Sequence, residues 1–353
     1  MNLFSIILYP FSLLYGLIAF IRNNLYDFKI LKSYSFNLPL ICIGNLSYGG
    51  TGKTPHVEYL IRLLSSHINP ATLSRGYKRK SKGFVFAGKD SLSSEIGDEP
   101  RQLKNKFPKI TVAVCGNRYL GVKGILENNT GINCIILDDA FQHRSLKSGL
   151  NILLTDYNKL YCRDYVLPSG TLREFRCGAK RADIIVVTKC PKSIANEEKR
   201  EIVSEIKSEK YQRVFFSFIE YGSLTPMNDT VFDGDISSVE SVLLFTGVAN
   251  AKPLEQYLKS KVDSLHSIRF DDHRQYSVQD LTKIRESFNN IATRNKILVT
   301  TEKDAMRVET FKRKAILLDL PLFFIPIQVD FFQSDKEMFN KLILDYVKSD
   351  RKN

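Results

Sequence analysis

The chain has 353 residues, 43% hydrophobic and 25% charged, and its 51 basic and 38 acidic side chains give a formal charge of +13. That is enough apolar content for one large α/β domain or two moderate ones, with the charged fraction of a soluble globular chain. The six cysteines (Cys42, Cys115, Cys134, Cys162, Cys177 and Cys190) form no CxxC pair and show no zinc-ligand spacing; Cys42, Cys115 and Cys134 lie in or at the end of apolar runs that read as buried strands, and free buried thiols fit a reducing compartment better than a disulfide framework. The basic surplus suits an anionic partner such as nucleic acid, anionic lipid or a phosphorylated substrate, unless it is only a soluble basic surface.

Residues 3–21, LFSIILYPFSLLYGLIAFI, carry no charge, and Arg22, Lys29 and Lys32 follow. A secretory signal would need a basic leader and a small-residue cleavage site, and both are missing. Roughly 20 apolar residues can span a bilayer, but Ser5, Pro10, Ser12 and Gly16 weaken a spanning helix. A membrane-dipping helix with a basic collar is the preferred expectation. A helix packed on the protein's own core is the alternative.

Apolar runs then alternate with helical patterns, the signature of a parallel α/β sheet. Strands are predicted at Leu38–Ile43, Ala71–Ser74, Ile110–Cys115, Asn133–Leu137, Asn151–Leu154 and Asp183–Thr188. Helices are predicted at Pro55–Ser65, Asn117–Asn128 and Asn196–Lys210. Residues 221–238 are rich in turn formers and read as a hairpin or linker. A second set follows: strand Ser241–Thr246, helix Pro253–Ser260, strand Ser264–Phe270, helix Ser277–Asn290 and strand Lys296–Val299. The apolar run Ala315–Ile327 and a helix near Asp335–Val347 close the chain. The expected organisation is an N-terminal helix and collar at 1–34, a nucleotide-binding domain at 35–220, a hairpin or linker at 221–240 and a smaller α/β lobe at 241–353, with a cleft between the lobes. The fold class is α/β, a P-loop NTPase-like parallel sheet with helices on both faces.

The strand LICIG runs into Ser47-Tyr48-Gly49-Gly50-Thr51-Gly52-Lys53-Thr54 and then a helix opened by Pro55. Glycines let backbone N–H groups turn toward an anion, and the helix N-terminus adds its positive dipole end. Lys53 would reach the β and γ phosphates, and Thr54 Oγ would ligate Mg²⁺. These residues bind a nucleoside triphosphate. The usual first glycine falls on Ser47, and Gly49 and Gly50 move the flexibility inward. Partition-type ATPases place a lysine just before the paired glycines; here Tyr48 stands in its place, which argues against that class. Cys134–Asp139, an apolar strand ending in two acids, is a Walker B arrangement that holds the metal.

GNLSYGGTGKTP, SRGYKRK, GDEP, LDDAFQHR, LREF, TKC, FDDH and TTEKDAMR occur in that order behind the apolar N-terminal helix. This ordered set, spanning residue 1 to about 330, resembles the tetraacyldisaccharide 4′-kinase (lipid A 4′-kinase) family. Ala140 and Phe175 depart from the family's LDDGFQHR and LREP. The resemblance implies transfer of the γ-phosphoryl group of ATP, with Mg²⁺, to the 4′-hydroxyl of a tetraacylated disaccharide 1-phosphate, giving lipid IVA and ADP. It implies a peripheral or monotopic enzyme on the cytoplasmic face of the bacterial inner membrane. The expected partners are that lipid and the membrane surface, with no nucleic acid, and the chain is expected to act as a monomer.

By the same resemblance, Asp98 of GDEP is the catalytic base, although an aspartate before Glu-Pro also suits a helix N-cap. His273 is its partner, and Lys53 completes the catalytic set. Thr54 with Asp138 or Asp139 would hold Mg²⁺, and Glu174 is a further candidate for that shell. Arg75, Arg118, Gln142 and Arg173 are candidates for substrate or phosphate contact, and His143 lies in the same motif as Gln142. Arg75 opens the basic run Arg75, Lys78, Arg79, Lys80 and Lys82, which is either a solvated face or a site for the 1-phosphate or anionic lipid. Thr301-Glu302-Lys303-Asp304 is expected near the nucleotide base. His56, His67 and His266 carry no functional signal.

Overall fold

The computed structural model describes residues 3–228, 234–248, 250–272, 274–308, 316–317 and 319–350. Two compact units emerge. The first comprises Met1–Ile96, Leu103–Ile219 and Val329–Asn353, and the second Gly97–Gln102 and Glu220–Gln328.

From the N-terminus run α1 (Leu3–Asp27), β1 (Leu40–Asn45), α2 (Lys53–Ser65), β2 (Pro70–Ser74), β3 (Val85–Phe86), α3 (Ser93–Ile96), α4 (Asp98–Lys106), β4 (Thr111–Val114) and α5 (Arg118–Asn128). They are followed by β5 (Cys134–Asp138), β6 (Leu150–Asp156), β7 (Ile184–Thr188), α6 (Asn196–Ile206) and β8 (Arg213–Tyr221). The first sheet has the order β14-β8-β7-β6-β1-β5-β2-β4-β3, where β14 is Ile327–Phe331. From β8 through β4 its neighbours pair in parallel, and β3 is antiparallel to β4.

Alternation along the central strands explains why helices cover both faces. In β1, Leu40 and Cys42 enter one apolar cluster and Ile41 and Ile43 the other. In β5 and β7 the odd-numbered residues Ile135, Leu137, Ile185 and Val187 join the first cluster, and Cys134, Ile136, Ile184 and Val186 the second. A strand apolar on both sides must be covered on both. The chain leaves β1 toward β2 and β4 on one side and later fills β6, β7 and β8 on the other, so β1 is the topological switch point. Ligands of such sheets bind at the carboxyl ends of the strands there. All six cysteines are free, and Cys42, Cys115 and Cys134 are buried as expected.

The second unit contains β9 (Thr225–Pro226), β10 (Ser241–Thr246), α7 (Lys252–Lys259), β11 (Ser264–Arg269), α8 (Val278–Asn289), β12 (Lys296–Thr301), α9 (Glu302–Val308) and β13 (Leu322–Ile325). Its sheet order is β11-β10-β12-β13-β9, parallel except for β9. A reciprocal capping box between Ser277 and Asp280 starts α8.

Four points differ from the expectations. The helix from Asn196 stops at Ile206 rather than Lys210, because Lys207 turns left-handed with φ 50° and ends it. The strand β8 was not anticipated. The run Ala315–Ile327, described only in part, is broken by Pro326 between β13 of the second sheet and β14 of the first. Proline cannot donate to a ladder, and its carbonyl instead accepts from Gly222 N at 2.8 Å. Beyond it, α10 (Gln333–Asp350) buries Phe339, Ile343 and Val347, four residues apart, in the second cluster of the first unit. The contacts therefore assign residues 329–353 to the first unit and 220–240 to the second.

The helix α1 does not hide in the core. Ile6, Ile7, Phe11, Leu14, Leu17, Ile18 and Ile21 are exposed. Its Ile6–Asp27 stretch is long and apolar enough to cross a membrane by length and composition, with a mean hydropathy of 1.5. One narrow face is docked. Ser12 Oγ donates to Ser169 Oγ at 2.8 Å and accepts from Ser169 N at 2.9 Å, and Phe20 lies edge-on to Phe175. Gly16 permits the close approach, since a Cβ there would lie 2.5 Å from the Phe175 ring.

Candidate active site

The phosphate loop leaves the end of β1 and enters α2 through Gly52, which is left-handed at φ 86° and so favours glycine. Gly44 lets the chain after β5 close in, because a Cβ there would lie 2.6 Å from Phe141 Cβ. Asn45 Nδ2 donates to Thr51 Oγ1 at 2.7 Å across the loop. Residues 171–173 flank it: Tyr48 N donates to Thr171 O at 2.6 Å and Arg173 N to Leu46 O at 2.7 Å. Thr54 is buried at the start of α2.

Asp138 ends β5, and Asp139 follows in a left-handed conformation at φ 48°. A non-glycine residue held there marks a position its surroundings over-determine. Asp139 Oδ1 lies 3.7 Å from Lys53 Nζ and 2.9 Å from Arg173 Nη1. Burial pushes its carboxyl upward, but Lys53 and Arg173 outweigh that and hold it below the usual carboxylate range. Lys53, Asp139 and Arg173 thus form an ionised cluster beside the phosphate loop.

The neighbours are bracing elements. Arg118 is 1% exposed; it donates to Cys115 O at 2.8 Å and to Asp138 O at 3.2 Å, tying the ends of β4 and β5 together. Gln142 donates to Asn45 O at 2.8 Å and to Glu174 Oε1 at 3.1 Å. Glu174, 2% exposed, also accepts from Arg181 at 2.8 Å and from Asn23 of α1 at 2.6 Å. Both of its oxygens are engaged, so its carboxylate is committed to holding this segment against α1 and Arg181. Arg75 is exposed just past β2, whereas Arg79 of the same basic run bonds Ser81 and Gly83. His143 is held neutral, its pKa lowered to about 4 by burial and then by the Arg118 and Arg75 cations.

Asp98 groups with the second unit. Its Oδ2 accepts from Arg307 Nε at 3.0 Å, and Arg307 also donates to Asp304 Oδ1 at 2.9 Å and Gly247 O at 2.8 Å. The neighbouring Glu99 of the same motif is paired with Lys303 at 2.9 Å, and Gln102, further along α4, donates to Glu302 at 3.2 Å. Burial raises the Glu99 carboxyl, but Lys303 outweighs it and holds it below its ordinary value. The TEKD motif, expected near a nucleotide base, therefore holds the start of α4 in this structure. His273 lies outside the described residues. The Arg307 and Asp304 side chains are 1% and 0% exposed. Replacing Arg307 with alanine leaves two carboxylates without their cation, one of them fully buried, and should cost about 3–5 kcal/mol of stability. A shift in denaturant midpoint measures it.

Sequence reading gave no role to five residues that build the site. Lys189, left-handed at φ 59° after β7, donates to Gly50 O and pairs with Asp156 Oδ2 at 2.7 Å. Thr188 Oγ1 donates to Thr51 O at 2.9 Å. Asn45 holds Thr51, and His56 Nδ1 lies 2.8 Å from Gly52 O, with Nε2 3.0 Å from Ser217 Oγ. The available signals were the parallel-sheet pattern, which sends the ends of β6 and β7 to the same edge as β1, and the spacing of His56 one helical turn after Gly52. Burial lowers the His56 pKa to about 4, only partly opposed by its bond to Gly52. An unfolded histidine titrates near 6.5, so this contribution is complete above that pH and lost as pH falls toward 4. Stability should therefore drop by up to about 3 kcal/mol over that window from His56 alone. Thermal melts of wild type and His56→Gln across pH 4–7 test this, and an equal slope in both would count against it.

Fold and site define a P-loop nucleotide-binding protein of the α/β class, with a loop lysine facing an acidic strand end. A model of the family described as Tetraacyldisaccharide-1-P 4′-kinase matches residues 4–348. The tetraacyldisaccharide 4′-kinase of Flavobacterium johnsoniae is 48% identical over 349 residues, covering 99% of this chain and 98% of that protein. That of Bacteroides thetaiotaomicron is 43% identical over 357 residues, covering 98% and 94%. Among solved structures, LpxK from Aquifex aeolicus in complex with ATP superposes with a TM-score of 0.75 at 31% identity, covering 98% of this chain and all of that one. The chain belongs to the tetraacyldisaccharide-1-phosphate 4′-kinase family.

Proposed function

We propose that the chain transfers the γ-phosphoryl group of ATP to the 4′-hydroxyl of a tetraacyldisaccharide 1-phosphate, forming lipid IVA and ADP in lipid A biosynthesis. Family membership supports the reaction, and one observation ties it to these residues: Lys53, Asp139 and Arg173 converge on a phosphate loop at the sheet's switch point. In the reaction, the 4′-oxygen bonds to the γ-phosphorus while the bond from that phosphorus to the β,γ-bridging oxygen breaks. The hydroxyl proton passes to a carboxylate, and ADP leaves with the electron pair.

Lys53 and the loop amides neutralise charge on the β and γ phosphates, and Asp98 takes the hydroxyl proton. Arg173 holds Asp139 and lies ready to meet a phosphate oxygen. Arg75 is the exposed cation of the set and is assigned to the substrate's phosphate. Arg118, Gln142 and Glu174 position the others.

A divalent ion fits the donors. Thr54 Oγ, Asp138 and Asp139 are hard oxygen ligands, and no cluster of three or more His, Cys, Asp or Glu side chains forms a cage among the described residues. Mg²⁺ takes such sites, using one or two carboxylates together with substrate phosphates. When bound, it would neutralise charge on the transferring phosphoryl group.

A peripheral or monotopic seat on the cytoplasmic face of the inner membrane is proposed on the exposed apolar face of α1 and the collar of Arg22, Lys29 and Lys32, and the chain is proposed to act as a monomer. The test of function is ³²P transfer from γ-labelled ATP to the disaccharide 1-phosphate in detergent micelles. Labelled lipid is expected; robust hydrolysis without it would instead favour a regulatory ATPase.

A further inference from the structure

The carbonyls of residues 49–52 in the phosphate loop are each held. Gly49 O accepts from Thr51 N at 3.1 Å, Gly50 O from Lys189 Nζ, and Thr51 O from Thr188 Oγ1 at 2.9 Å. Gly52 O accepts from His56 N at 3.3 Å and lies 2.8 Å from His56 Nδ1. A peptide unit is planar, with its C=O and N–H opposed. Anchoring the Thr51 and Gly52 carbonyls to Thr188 and His56 therefore sends the amides of Gly52 and Lys53 the other way, toward where a phosphate would sit.

Packing does not hold the tip of this loop. Tyr48 is 62% exposed, and a Cβ at Gly49 or Gly50 would meet nothing within 4 Å. Its conformation depends on polar tethers, and at Gly50 the tether is Lys189. That lysine is itself constrained: its backbone is left-handed, and Asp156 fixes its ammonium from the end of β6, where Asp156 stands opposite Thr188 in register. The position before the paired glycines carries tyrosine, and a lysine from another strand reaches the loop instead.

We infer that Lys189, tethered by Asp156, is a positioning residue for ATP: it draws the Gly50 carbonyl away from the phosphates and keeps the loop tip in its anion-binding form. This rests on the reading that the loop binds ATP. It adds a role for TKC that none of Lys53, Asp139 and Arg173 performs.

The experiment compares wild type, Lys189→Met, Lys189→Arg and Asp156→Asn for ATP dissociation constant, KM for ATP, KM for the lipid acceptor and kcat. Lys189→Met should weaken ATP binding by about tenfold, the effect of one charge-assisted hydrogen bond. Its KM for ATP should rise by more than kcat falls, with the acceptor KM unchanged. Lys189→Arg, which keeps a donor and the charge, should recover most of the affinity, and Asp156→Asn should lose part of it. Wild-type ATP affinity in Lys189→Met, or parallel loss of ATP and acceptor affinity with no rescue by arginine, would overturn the inference. If the wild type fails to bind ATP, the nucleotide reading of the loop falls with it. Normal wild-type binding beside an unaffected Lys189→Met rejects the role of Lys189 alone.

Discussion

Asp98→Asn is expected to lower kcat by about 10²–10⁴-fold, the usual worth of a positioned general base, with ATP affinity unchanged. The substitution separates the two readings of GDEP. Asparagine caps a helix as well as aspartate does, so a residue that only started α4 would tolerate the change with kcat intact. A base would not, because the amide oxygen cannot take a proton at neutral pH. The surroundings favour retention of the fold: the bond from Arg307 Nε at 3.0 Å needs only an acceptor, and Arg307 keeps Asp304 and the Gly247 carbonyl. A normal kcat would remove Asp98 from the catalytic machinery, and a lowered melting temperature beside it would assign Asp98 to its ion pair with Arg307.

Lys53→Ala should reduce kcat/KM by about 10²–10³-fold, the scale for loss of one preorganised charge partner of a transition state. Lys53 stands 3.7 Å from Asp139 Oδ1, and Arg173 donates to both oxygens of that carboxylate, at 2.9 and 3.3 Å. Removing Lys53 thus leaves Asp139 paired and the fold intact, and the loss falls on phosphate charge. Lys53→Arg should recover little, since a planar fork cannot replace a compact ammonium seated at the start of α2. Steady-state kinetics at varied ATP provide the measurement, and wild-type kcat/KM in Lys53→Ala would remove this lysine from the machinery.

Much of the site could be read from residue order because its chemistry lies in contiguous motifs. Ser47–Thr54 needs its glycines, lysine and threonine at fixed offsets, and an apolar strand ending in Asp138 and Asp139 announces itself. Thr188 and Lys189, noted only as part of TKC, and Asp156 were given no role for the opposite reason. Each contributes one contact to the loop from a distant strand, and only the register of β6 and β7 brings them there. Arg118 illustrates a further gap: a guanidinium in a motif reads as a phosphate ligand until its burial reveals a brace between strand ends. The fold divided in the same way. The alternating β and α segments were legible from period and length. Whether Ala315–Ile327 was one strand or two depended on Pro326, and the destination of α10 on side-chain complementarity between Phe339, Ile343, Val347 and the first sheet.

That last feature bears on how the chain is made. Apart from Gly97–Gln102, the second unit is an insertion: Glu220–Gln328 interrupts a first unit that resumes at Val329–Asn353. The Tyr346 hydroxyl bonds both the amide and the carbonyl of Leu40, at 3.1 and 3.2 Å, so the start of the phosphate-loop strand is tied to the C-terminal helix. During synthesis, domains generally fold as units in order of emergence. Here the inserted unit leaves the ribosome whole while the nucleotide-binding one is still missing β14 and α10. Until α10 is made, the core of the first unit lacks Phe339, Ile343 and Val347.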